Sequence, residues 1–100
     1  MYDSKNLGKV RKLLELTPAA MKAFSDFDKA AFADGALPVK IKELIGLAVA
    51  VTTQCAYCIE VHTKKAKAAG ANETEIAEAV MVSAAIRAGG SITHGTHCLE

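Results

Sequence analysis

The chain has no tryptophan, five aromatic residues and two prolines in one hundred positions. So few aromatic side chains argue against a strand-rich sandwich, which draws on β-branched and aromatic residues. No apolar run approaches the roughly 20 residues that span a bilayer; the longest, Leu44 to Val51, is far shorter. The opening Met1-Tyr2-Asp3-Ser4-Lys5-Asn6 lacks the apolar segment of a secretory signal. A cytoplasmic location without a membrane partner is therefore expected. Neither sign of charge prevails: 12 Lys+Arg against 11 Asp+Glu give +1, and only Lys64, Lys65 and Lys67 cluster. Nothing there suits nucleic acid. Three cysteines are too few, and odd in number, for a disulfide scaffold. In a reducing compartment a close pair is more often catalytic or metal-binding.

What is present is alanine and helical punctuation. Half of the residues are hydrophobic, which with so much alanine suits closely packed helices. One domain over residues 1–100 is expected, small enough that self-association is anticipated. Ser4 can cap a first helix striped with Leu7, Val10, Leu13 and Leu14. Thr17-Pro18 restarts the chain, since Thr caps well and Pro fits the first helical position. Met21, Phe24, Phe27, Ala31 and Phe32 line the second helix, and Asp34-Gly35 stops it. Pro38 opens a third helix that carries no charge between Glu43 and Glu60, which predicts a buried central element.

A fourth helix starts beside Cys55 and runs to Ala69, with Gly70 ending it. Asn72 and Glu75 form a capping box for a fifth. Ile76, Val80, Met81 and Ile86 give that helix bulk, while its alanines, Ser83 and Gly89-Gly90 allow close packing, against another subunit if one is present. The predicted class is all-α, about five helices around a central antiparallel hairpin.

The chemistry is concentrated in Cys55-Ala56-Tyr57-Cys58-Ile59-Glu60-Val61-His62. Cys55 and Cys58 stand at i and i+3, Cys58 and His62 at i and i+4, so all three share one helix face with Cβ atoms about 5–6 Å apart. A helix N-terminus near Cys55 stabilises a thiolate, the attacking form. His62 can accept the thiol proton or give one to a leaving oxygen. Zinc is the main alternative, with Cys55, Cys58 and His62 as three ligands and Cys98, His94 or His97 as a fourth. Structural zinc cysteines usually sit on turns, which counts against it. A thioredoxin-like strand-to-helix site is excluded by helix on both sides.

Glu43, eleven residues, Cys55-Ala56-Tyr57-Cys58, three residues and His62 together resemble the signature of the alkylhydroperoxidase AhpD-like proteins, of the carboxymuconolactone decarboxylase superfamily. The likeness runs from Leu37-Pro38 to Gly90. It implies an all-helical homotrimer or homohexamer, without cofactor or metal, that reduces hydroperoxides or a partner disulfide at the expense of a thiol reductant or redox protein. It further implies that Cys58 attacks, Cys55 resolves, and His62 with Glu43 relays protons.

The AhpD peroxidases carry His where this chain has Tyr57, here read as a pocket wall. A straight third helix puts Glu43 about 18 Å from Cys55, so Glu43 is expected to act on His62 across the hairpin. The superfamily's namesake chemistry, acid–base decarboxylation by Glu43 and His62 with idle cysteines, is the other enzymatic alternative; a zinc or assembly module is the non-enzymatic one.

Overall fold

The structure, a computed structural model, describes residues 1–100. A 3-10 helix over Ser4–Lys9 leads into α1 (Val10–Leu16), followed by α2 (Pro18–Phe32), α3 (Val39–Thr53), α4 (Ala56–Ala68) and α5 (Glu73–Gly95); a 3-10 turn, Thr96–Cys98, follows. The architecture is all-α. The core is α3, clasped by α4 on one side and α5 on the other.

Local chemistry explains most boundaries. Asp3, not Ser4, caps the first turn, its carboxylate accepting from the Lys5 N–H at 3.0 Å. Pro18 occupies the first position of α2, but the Thr17 hydroxyl donates backwards to the Leu13 carbonyl at 2.7 Å instead of capping forwards. At the start of α3 proline offers no side-chain cap, and Asp34 supplies one by accepting from the Val39 N–H at 2.9 Å. Asn72 and Glu75 complete the expected capping box of α5.

The hairpin turns on two residues. Gln54 adopts φ 57°, the single non-glycine residue in the left-handed region. That reversal lets the Cys55 N–H reach the Ala50 carbonyl at 3.0 Å, the six-to-one bond that closes a helix. Cys55 then serves directly as the N-cap of α4. Gly70, at φ +98°, repeats the device after α4, with Ala71 N–H donating to the Ala66 carbonyl.

Only six residues are buried: Glu43, Leu47 and Ala50 on one stripe of α3, Ala66 on α4, Ala71, and Ser83 on α5. The Ser83 hydroxyl donates to the Ala48 carbonyl at 3.0 Å, tying α5 to α3. The expectation that α3 is buried all round is corrected here. Ile45 and Val49 are about half exposed, because α4 and α5 cover two sides of α3 and only the end of α2 reaches the rest. α5 also runs through Gly89-Gly90 to Gly95. Glu73–Cys98 is long and apolar enough, by length and composition, to cross a bilayer. No unbroken apolar run marks it in the sequence, because Glu73, Glu75, Glu78 and Arg87 interrupt it.

Lys40 at the start of α3 and Glu75 at the start of α5 pair at 2.7 Å. The Lys40 ammonium, then the Asn72 N–H, hold the Glu75 carboxyl below its ordinary value. A depressed carboxyl contributes stability above its unfolded value and loses it as pH falls through the folded one. Lys40→Met is therefore expected to lower the melting temperature modestly at pH 7. The gap between variant and wild type should close in acid, as thermal melts across pH would report.

Candidate functional site

The hairpin brings Glu43 and His62 together. Glu43 lies one turn into α3 and points inward, 4% exposed. His62 lies in the second turn of the antiparallel α4. Its Nδ1 is 2.6 Å from Glu43 Oε2. An ionised carboxylate can only accept, so the ring proton belongs on Nδ1 and the Nε2 lone pair is left free. Nε2 has no hydrogen-bond partner within the chain, and neither thiol is bonded to Glu43.

The imidazole is held from a third side. Phe32, the last residue of α2, stacks on it with ring centroids 5.0 Å apart and planes 15° from parallel. Gly46 on α3 makes room for this. A Cβ there would lie 3.2 Å from the Phe32 ring and 3.7 Å from His62 Nδ1. Phe32 reads in sequence as one more residue of an apolar stripe. Gly46 gives no sequence signal at all.

The two sulfurs meet at the mouth of α4, 2.7 Å apart. Cys55 also accepts from the Cys58 N–H at 3.3 Å, a free donor of the helix's first turn. These contacts set a proton order. The hydrogen bond from the Cys58 thiol, then that from its N–H, pull the Cys55 thiol below its ordinary value. Donating to Cys55, together with burial and repulsion from a Cys55 thiolate, pushes Cys58 up. These contacts favour Cys55 over Cys58 as the seat of a resting thiolate, whereas the resemblance makes Cys58 the attacking sulfur.

Access divides the other way. A cleft of about 320 Å³ is bounded by Leu7, Val10, Phe24, Tyr57, Val61, Asp28 and Lys65, with Cys58 and His62 in its wall; Cys55 lies outside it. Tyr57 lies in the wall of this cleft. Its hydroxyl is engaged by the N-terminal segment: it accepts from Asn6 Nδ2 at 2.8 Å and from the Asp3 N–H at 3.1 Å, and donates to the Met1 carbonyl at 3.2 Å. No three His, Cys, Asp or Glu side chains converge as a metal site. His62 has committed Nδ1 to Glu43, and His94, His97 and Cys98 lie at the far end of α5.

Fold and site together define a small helical protein whose central hairpin sets a carboxylate–imidazole pair beside a dithiol. Residues 18–100 match the carboxymuconolactone decarboxylase family, and the chain belongs to that family. It is 32% identical to a carboxymuconolactone decarboxylase family protein from Legionella pneumophila, solved in its apo form. That likeness covers 93% of this chain and 84% of the other, with a TM-score of 0.81. A solved protein from Methanobacterium thermoautotrophicum is 34% identical at TM-score 0.82, over 88% of this chain and 99% of that one. Among curated relatives, an uncharacterized protein of the cox locus of Paracoccus denitrificans is 47% identical over 77% of this chain and 69% of its own length. One from Cupriavidus necator is 42% identical over 66% of this chain and 58% of its own length.

Proposed function

We propose that the protein is a thiol-dependent oxidoreductase, reducing hydroperoxides or a partner's disulfide through Cys58 and Cys55 with His62 and Glu43 moving the proton. The observation that carries this reading is a second thiol in contact with the first, at a helix N-terminus, beside the carboxylate–imidazole pair. Acid–base decarboxylation would need Glu43 and His62 alone, and leaves the paired sulfurs without a task.

With a hydroperoxide, His62 Nε2 takes the first proton of the thiol pair, the Cys58 proton passes to the Cys55 thiolate so formed, and the Cys58 thiolate attacks the outer peroxide oxygen. The S–O bond forms as the O–O bond breaks. The departing alkoxide takes a proton from His62 and leaves as an alcohol, Glu43 holding the imidazole throughout. Cys58 is then a sulfenic acid. Attack by Cys55 forms the intramolecular disulfide and releases water, and an external dithiol returns the two electrons. Consumption of cumene hydroperoxide with dithiothreitol as donor tests the reading. Equal rates for wild type and Cys58→Ser would overturn it.

The protein acts as a homo-oligomer, trimeric or hexameric. A folded monomer of 10.5 kDa is expected to expose about 5,400 Å². This chain exposes 7491 Å². The radius of gyration of 16.5 Å likewise exceeds the roughly 13 Å of a compact domain of this length. The excess, about 2,000 Å², is what substantial protein interfaces bury. The exposed apolar side chains of Ile45, Val49, Val82 and Ile86 are its natural centre. Arg87 beside them donates to the Thr52 carbonyl, and a buried protein contact suits that cation better than hydrocarbon. Sedimentation velocity is expected to give a mass at least three times that of the chain. A monomer at micromolar concentration would refute the assembly.

A further inference from the structure

The N-terminal segment is tied to the hairpin chiefly at one point. Three hydrogen bonds join residues 1–16 to residues beyond α2 at the Tyr57 hydroxyl, and the Tyr2 phenol faces the Glu60 carboxylate on α4 besides. Tyr2 adds a ring contact to Tyr57, centroids 4.8 Å apart. The rest of the seam is thin. No residue of the Ser4–Lys9 turn or of α1 is buried. A second cleft of about 330 Å³, between Asn6, Leu7, Val10 and Tyr57, opens on the same seam. Leu7 and Val10 nevertheless form one wall of the cleft that contains Cys58 and His62. The segment also lies outside the residues that match the family, which begin at Pro18.

We propose that Tyr57 is a specificity-determining positioning residue: its hydroxyl holds the segment Met1–Lys9 across the Cys58 cleft, so that the segment sets the size of molecule that reaches the thiol. The phenol is suited to this and not to proton delivery. It accepts two hydrogen bonds and donates its single proton to the Met1 carbonyl, so its polar capacity is spent on the strap. A residue lodged between the two cysteines thereby couples the entrance to the reactive thiol. Small oxidants pass under the strap, and bulky ones wait for it to lift.

The experiment needs no turnover and is separable from the redox reading, on which the proposal depends only for Cys58 being the reactive group. Cys55→Ser and Cys98→Ser leave Cys58 as the sole thiol in the full-length chain. Its alkylation is timed with iodoacetamide and with a maleimide bearing a polyethylene glycol chain. Tyr57→Phe keeps the ring and removes all three hydrogen bonds. The bulky reagent should then react on the order of tenfold faster, the population change expected from losing bonds of ordinary strength. The iodoacetamide rate should change by less than about twofold, because that reagent fits the cleft already.

Asn6→Ala cuts the same tie from the other strand of the seam and guards against a Tyr57 variant that folds poorly. It should shift the ratio in the same direction by a smaller factor. An unchanged ratio in both variants overturns the proposal. So does an equal acceleration of both reagents, which would mean general loosening of the fold. If amide exchange shows residues 4–9 released while the ratio stays fixed, the strap does not guard the thiol and the proposal falls.

Discussion

Cys58→Ser is expected to abolish hydroperoxide consumption, whereas Cys55→Ser should arrest the enzyme one step later. The difference follows from what each sulfur faces. Cys58 lies in the cleft with His62, and Cys55 stands outside it at the helix cap. Serine at 58 offers a hydroxyl that remains protonated and a poor nucleophile, so no S–O bond forms. Serine at 55 retains an N-cap of good propensity and leaves Cys58 free to be oxidised. Its sulfenic acid then has no neighbouring thiol to resolve it, and dimedone should label Cys58 in that variant alone. Mass spectrometry of the labelled peptide decides the matter. A dimedone adduct on Cys55 in Cys58→Ser would reverse the roles.

That reversal is worth testing because the resting protons favour it. The Cys55 thiol is drawn down by its bonds from Cys58, and Cys58 is pushed up by giving them. In a coupled pair the first proton lost belongs to the pair, and a small shift between sulfurs 2.7 Å apart exchanges the charge. The sulfur in the cleft, not the sulfur that ionises first, is therefore expected to meet the peroxide. Small-reagent alkylation of wild type should begin at Cys55, while oxidation by peroxide begins at Cys58.

The second large effect belongs to the buried pair. On the proposed mechanism His62→Ala removes the group that protonates the departing oxygen, and positioned acid–base groups contribute roughly 10²–10⁴-fold. Glu43→Gln should lose a comparable factor although it changes almost no volume. The amide can turn its NH₂ toward Nδ1, which moves the ring proton to Nε2 and leaves no lone pair facing the cleft chemistry. A carboxylate-to-amide change of this kind costs through the wrong tautomer rather than through lost packing. Combining the two substitutions should do little more harm than His62→Ala alone, because residues that act as one device are not additive. Wild-type kcat/KM in Glu43→Gln would remove Glu43 from the mechanism.

Much of this was readable from the chain because it is written in local rules. Helix class, the restart at Pro18, the Asn72–Glu75 cap and the stop at Gly70 each depend on neighbours within a few residues. Glu43 meeting His62 also followed from local rules, since two antiparallel helices joined by a short turn leave few registers. Phe32 on His62 did not follow. That contact joins the end of α2 to α4 with the whole of α3 between them in the chain, and the glycine that permits it at position 46 sits inside an apolar run. The strap on Tyr57 is of the same kind, set by contacts more than fifty residues apart. Nor could the sequence say what covers α3: an apolar helix reads as buried whether its own chain or another buries it, and here Ile45 and Val49 stay about half exposed. The proton order of the thiols was hidden because it turns on which sulfur receives a single N–H.

The six buried residues have one more consequence. In the proposed assembly a protomer with so little interior would draw its cohesion from neighbours, which would make folding and association a single equilibrium with a concentration in it. Dilution then acts as a denaturant does. On the proposed assembly and gating, a cell that let the level of this protein fall would lose activity out of proportion to the molecules lost, since those remaining would come apart and the segment proposed to cover the thiol would lose its platform.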